Sequence, residues 1–250
     1  MQSRISPLFL GLVAVAVAGG AATVVADRTS EPVLLTVGIV LLVAGGWTVS
    51  LCLHEFAHAA VAYRGGDWSV REKGYLTLDV RRYSDVGLSV VLPLVFLLAG
   101  GIPLPGGAVW VNHGALRSRR VQSAVSFAGP ATNLALALLL TAAVAAVSMP
   151  IGLAVGLSCL AMVQVLAFVL NMLPVPGLDG FGVIEPYLSP RTQQFAAKAR
   201  PWAPVVLFLL LVGLPGLSSL VFRLGALVFA AIGGNPLLAQ FGYNELLFWR

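Results

Sequence analysis

Charged residues are scarce in this 250-residue chain, with 15 Lys and Arg and 10 Asp and Glu making up 10% of the whole. A soluble domain of ordinary composition carries about a quarter. That scarcity, with 58% hydrophobic residues and a mean hydropathy of +0.93, excludes a soluble globular enzyme and equally excludes disorder. Cysteine is nearly absent too. Cys52 and Cys159 are the whole complement, which excludes a disulfide-stapled secreted scaffold. Both fall inside apolar runs and read as small apolar side chains. The formal charge of +5 does not point to nucleic acid, because the basic residues stand in short clusters between apolar runs, the pattern that orients a chain in a bilayer. No internal repeat stands out and no polar tract is long enough to be a second folded unit. Residues 1–250 therefore read as a single domain embedded in lipid.

Windows free of Asp, Glu, Lys and Arg place the spans, since a charge deep in the bilayer is costly and about 20 apolar residues cross the hydrocarbon core. The longest window, 58 residues between Arg120 and Asp179, holds two spans broken near Met149-Pro150. The windows predict helices over about 7–26, 33–63, 86–100, 121–148, 151–173 and 203–222, the last continuing past a kink at Leu214-Pro215-Gly216 toward Ile232. The expected fold is an all-α polytopic membrane protein with about six transmembrane helices. The first segment reads as a retained signal anchor, and the tail from Pro236 to Arg250 as an interfacial anchor.

Basic residues cluster in three stretches: Arg64 to Arg82, Arg117 to Arg120, and Arg191 to Arg200. All three share the cytoplasmic side only if residues 86–112 enter the membrane and return, which the breakers Gly100-Gly101-Ile102-Pro103-Leu104-Pro105-Gly106-Gly107 favour. A re-entrant segment is therefore expected, and irregular backbone at depth implies a wet cavity or a protein-lined one. The stretch Tyr75–Arg81 alternates with period two. With Asp67–Arg71 and a turn at Glu72-Lys73-Gly74, it predicts a small membrane-associated β-hairpin whose edge could receive an unwound substrate by strand addition.

Histidine is rarer still than charge, at three residues, and two of the three stand in Leu53-His54-Glu55-Phe56-Ala57-His58, at the end of the second apolar run. Positions i and i+4 share one helix face, so both imidazoles can hold one metal ion. Glu55, one residue on, lies beside the ion and suits a general base acting on the attacking water. An ionisable residue in an apolar helix is itself a sign of function. A catalytic zinc takes three protein ligands. His113, beside Arg117, Arg119 and Arg120, reads as a solvated loop residue. Asp179 is the better third ligand, since Pro174, Pro176 and Gly177 end the preceding helix and Gly180 lets the backbone double back.

These residues fall into three signatures: His54-Glu55-x-x-His58, Gly129-Pro130-Ala131-Thr132-Asn133, and Asn171-x-x-Pro174-x-Pro176-x-Leu178-Asp179-Gly180. Together, and in this order, they resemble the site-2 protease family of intramembrane zinc metalloproteases, over a core from about residue 33 to 181. The resemblance implies one Zn2+ per chain held by His54, His58 and Asp179, with Glu55 as the base. It also implies that Asn133 and Asn171 lie near the active site to hold substrate backbone or polarise a carbonyl. Many relatives carry a PDZ or CBS domain; this chain resembles the minimal form. A lysine expected in the glycine-rich return strand is replaced here by Gly106-Gly107-Ala108-Val109-Trp110-Val111.

The function expected is a zinc endopeptidase cutting integral membrane proteins within or near their spans. The composition, rich in Ala, Val, Gly and Arg, suggests a prokaryotic cell membrane. His54 lies ten residues, about 15 Å along a helix, from Arg64, so the metal should sit inside the bilayer, nearer the cytoplasmic face. Two other readings use the same scaffold. A non-catalytic zinc-binding membrane protein would be expected to lose Glu55 first, and a metal transporter would string ionisable residues along several helices.

Overall fold

The chain enters its first helix through Ser6-Pro7. Ser6 Oγ accepts the Phe9 N–H at 3.1 Å, and Pro7 fixes the backbone where no helical hydrogen bond is required of it. In the computed structural model, which describes residues 5–82, Leu97 and 109–249, helix α1 runs Pro7–Thr29 and α2 runs Pro32–Gly65. The two pack backbone to backbone. A Cβ added at Gly19 would lie 2.3 Å from Leu42 N, one at Gly38 2.9 Å from Thr23 N, and one at Gly45 2.9 Å from Ala16 N. Small residues are the means by which helices approach closely in lipid, where the hydrophobic effect offers no drive between them. Replacing Gly19 with leucine is expected to push α1 off α2 at a cost of about 1–3 kcal/mol, read as a lower unfolding midpoint in detergent.

Short α3 (Ser69–Glu72) follows. Helix α4 (Arg119–Ala146) is capped by Ser118, whose side chain accepts the Val121 N–H, and α5 is Ile151–Asn171. The N-terminus of α5 is capped from a distance: Asp27, near the end of α1, accepts the Gly152 N–H at 2.7 Å, a carboxylate meeting the positive end of the helix dipole. Then come α6 (Asp179–Ile184), α7 (Pro190–Ala199), α8 (Ala203–Gly213), α9 (Pro215–Ala231) and α10 (Pro236–Leu246). Among the described residues α1, α2, α4 and α5 are long and apolar enough to cross a membrane, five spans in all if α8 and α9 count as one. Helix α5 is the central post, with 78% of its most apolar window buried against 17% for α1. One apolar core joins Ile39, Val43, Trp47 and Leu51 of α2 to Val155, Cys159, Val163 and Ala167 of α5, with Leu97 and Leu246 against them. Cys52 lies in a different cluster, with Ala59, Ala62 and Val125.

One expectation is corrected. Residues 67–82 form no hairpin: Asp67 Oδ1 accepts the Ser69 N–H at 3.1 Å, and a side chain that captures a backbone donor two residues on starts a helical turn, not a strand. The turn of α3 follows, and Leu78 makes an isolated parallel bridge with Ile5 instead of pairing with Asp67–Arg71. Beyond it the Arg81 guanidinium bonds both oxygens of Asp79, at 3.0 and 2.9 Å, and holds that carboxyl below its usual range. The segment expected from 203 past Leu214-Pro215-Gly216 toward Ile232 is two helices, α8 ending at Gly213 and α9 at Ala231. It breaks at Leu214 and α9 departs at 98°. In the tail, α10 packs on α5 with Gly242 against Cys159, where a Cβ would lie 2.4 Å from the cysteine Cβ. The helix expected over 86–100 and the re-entrant return lie outside the described residues, save Leu97 and 109–112.

Candidate metal centre

Three elements meet at the site. Helix α2 brings His54, Glu55 and His58, all buried, and the i to i+4 spacing sets the imidazoles one above the other, Nε2 to Nε2 at 3.0 Å. Asp179 arrives from the far side of the sequence. The chain leaves α5, turns through Pro174–Leu178 with Gly177 at φ +95°, and enters α6 with Asp179 as its first residue. The turn is tight enough that a Cβ at Gly180 would lie 2.3 Å from Met172 O. Helix α6 is tied to α4 by Ser123 Oγ, which donates to Val183 O at 2.6 Å. The result sets Asp179 Oδ2 3.1 Å from His54 Nε2 and Oδ1 3.4 Å from His58 Nε2.

Proton placement decides what this cluster can do. His58 Nδ1 lies 2.6 Å from Val125 O. A carbonyl can only accept, so Nδ1 carries the hydrogen and Nε2 of the neutral ring carries a lone pair. His54 Nδ1 lies 2.6 Å from Asn133 Oδ1 and is placed the same way. Two imidazole lone pairs and a carboxylate thus converge with no hydrogen of their own between them, an arrangement that repels unless a cation stands there. Ligands about 2.0–2.1 Å from a tetrahedral zinc are roughly 3.3 Å apart, so the observed separations fit that ion. Room is left by Gly129 of α4, where a Cβ would sit 2.3 Å from His58 Nε2 and 2.4 Å from His54 Nε2. Any larger residue would fill the cradle.

Glu55 stands apart from the three. Its Oε2 accepts the Val109 N–H at 3.1 Å, from the segment 109–112. That segment is pinned twice more: Asn112 N–H donates to Asp67 Oδ2 at 2.7 Å, and Lys73 Nζ donates to Trp110 O at 3.1 Å. Asn133, expected to face the substrate, is buried, with its oxygen taken by His54 and its amide nitrogen donating to Gln164 Oε1 at 2.7 Å. It thus touches a candidate metal ligand. Asn171 is buried at the end of α5, and its side chain makes no hydrogen bond among the described residues. His113 is exposed in a 3-10 turn, away from the cluster. Sequence reasoning missed Gln164, Val125 O, Val109 N–H and the cradle at Gly129. Of these only Gln164 left a signal, as an amide inside an apolar run.

No protein-family model matches the chain, and no solved structure does. Among curated proteins, "Putative zinc metalloprotease Rip2" of Mycobacterium tuberculosis (strain H37Rv) is 45% identical over 248 residues, 98% of this chain and 95% of the relative. The protein of that name from Mycolicibacterium smegmatis is 43% identical over the same shares. "Putative zinc metalloprotease YwhC" of Bacillus subtilis is 32% identical over 174 residues, 66% of this chain and 77% of its own length. Likeness at this level over nearly the whole of both chains, together with a His54, His58 and Asp179 cluster whose donors suit one Zn2+, settles the assignment: this multi-pass membrane protein is a zinc metalloprotease and belongs to the site-2 protease family.

Proposed function

We propose that the protein is an endopeptidase of the cell membrane that cuts integral membrane proteins within or beside their spans, at a site nearer the cytoplasmic face. The observation that carries the reading is the convergence of His54 Nε2, His58 Nε2 and the Asp179 carboxylate, with Glu55 beside them. In this reading His54, His58 and Asp179 hold the zinc and Glu55 is the base. Bound there, zinc supplies Lewis acidity toward the attacking water and the scissile carbonyl.

The chain's own residues do the rest. Val109 N–H holds Glu55 Oε2 and leaves Oε1 to take the proton of the attacking water as its oxygen bonds the carbonyl carbon. The same carboxyl then gives that proton to the amine nitrogen as the C–N bond breaks. Asn133 and Asn171 are the candidates to hold substrate backbone or polarise its carbonyl. A transmembrane substrate hides its carbonyls in its own helical hydrogen bonds, so it must unwind before attack. Depth supports the assignment to a membrane face, with about 15 Å of helix between His54 and the basic cluster that opens at Arg64.

The test is co-expression with a panel of tagged single-span membrane proteins. Fragments that appear with the wild-type protein and disappear when zinc is chelated, returning on zinc addition, are the expected result. A zinc-loaded protein that cuts soluble peptides but no panel member would overturn the membrane-substrate reading.

A further inference from the structure

Helix α5 is apolar along nearly its whole length, yet it carries Gln164, 1% exposed, deep in the core. Nothing in the chemistry above uses it. Its amide is bonded at both ends. Oε1 accepts from Asn133 Nδ2 at 2.7 Å, and Nε2 donates to Ser50 Oγ at 2.9 Å. Ser50, also buried on α2, donates in turn to Trp47 O at 2.7 Å. From the other side Asn133 Oδ1 meets His54 Nδ1. Four side chains on three helices thus form one unbroken chain that ends on an imidazole of the metal cluster.

The direction of this chain is fixed by its far end. Trp47 O is a carbonyl and can only accept, so the Ser50 hydroxyl hydrogen is committed to it. Ser50 Oγ therefore has only lone pairs to offer Gln164, which must present its NH2 there and its carbonyl oxygen to Asn133. Asn133 must then present NH2 to Gln164 and its oxygen to His54. Only one imidazole tautomer satisfies that oxygen, the one with hydrogen on Nδ1 and the lone pair on Nε2, the atom 3.0 Å from its counterpart on His58. Flipping either amide would set donor against donor or acceptor against acceptor in a dry interior, where an unsatisfied polar group costs about 1–3 kcal/mol.

We infer that Gln164 and Ser50 are positioning residues that fix, through Asn133, the tautomer and ring orientation in which His54 can bind the metal. The inference rests on the reading of His54 as a ligand through Nε2. It gives the buried amide of α5 a role at a distance. Loss of an outer partner of a ligating histidine typically lowers metal affinity about 10–100-fold, and the polar chain on α2, α4 and α5 places two such partners beyond the first.

The test measures zinc affinity in detergent by competition with a chelator of known affinity, for wild type, Gln164→Met, Ser50→Ala and the double variant. Gln164→Met is expected to weaken zinc binding about 10-fold or more. Ser50→Ala, which leaves Gln164 Oε1 on Asn133, should weaken it less. In the Gln164→Met background the serine change should cost nothing further, because the chain is already cut, whereas two independent packing defects would add. A second reading uses 15N-labelled histidine in the zinc-loaded protein, where three histidines give a simple spectrum and the His54 Nδ1–H signal should move in Gln164→Met. Wild-type affinity in a folded Gln164→Met protein, or additive losses in the double variant, would overturn the inference. His54→Ala separates the two levels. Zinc held there at wild-type affinity would sink the ligand assignment, while zinc lost there and unmoved in Gln164→Met would sink only the positioning role.

Discussion

Glu55→Gln is expected to keep its zinc and to lose cleavage by roughly 10²–10⁴-fold, the size of effect a positioned proton-transfer group supplies. The side chain is not among the three whose donors converge, so the metal should stay. Glutamine has the same length and can still accept the Val109 N–H that Glu55 accepts at 3.1 Å, so the segment at 109–112 should keep its place. What the amide cannot do is take a proton at neutral pH. Zinc content and cleavage of one panel substrate, measured on the same preparations, give the answer. Cleavage near the wild-type rate would remove Glu55 from its assigned role, and loss of zinc along with activity would make it a ligand.

The second large effect is expected at a residue with no side chain. Gly129→Ala places a methyl group 2.3 Å from His58 Nε2 and 2.4 Å from His54 Nε2, in the space those lone pairs face. Alanine is the better helix former by about 1 kcal/mol, so α4 should fold at least as readily, and the harm should fall on the metal. Zinc affinity is expected to drop roughly 100-fold, at the upper end of what outer-shell changes cause, with the helical circular dichroism unchanged. Full zinc occupancy in Gly129→Ala would show that the cradle lies elsewhere. The position also explains why a glycine precedes Pro130: close approach of the backbone to the histidines is the requirement.

Much of this site was legible because its parts are local. His54 and His58 lie one helical turn apart, so their sharing a face follows from the helix repeat alone. Asp179 announced itself by its setting, a carboxylate at the end of a 58-residue window without charge, behind Pro174, Pro176 and Gly177. Four of the expected spans became α1, α2, α4 and α5 with ends shifted by a few residues, since bilayer thickness fixes how many residues must be apolar. The hairpin failed for an equally local reason. Period-two alternation at Tyr75–Arg81 needs a partner strand at Asp67–Arg71, but the Asp67 carboxylate takes the Ser69 N–H and turns that stretch into α3.

The sequence by itself determined the class of the molecule, its apolar helices, the shared face of His54 and His58, and the chemistry of the three residues that meet. Tertiary structure decided which groups aim those residues. Asn133 lies 79 positions from His54, Gln164 lies 31 from Asn133, and Ser50 lies 114 from Gln164. No period or motif links such positions, because their partnership comes from the packing of α2, α4 and α5 against one another. The same packing set Asn133 against His54, and it brought Gly129 against two imidazoles. A motif names the donors. Only the packed helices fix which lone pair each donor presents, because in a dry core every polar atom must find the one partner the neighbouring helix offers it.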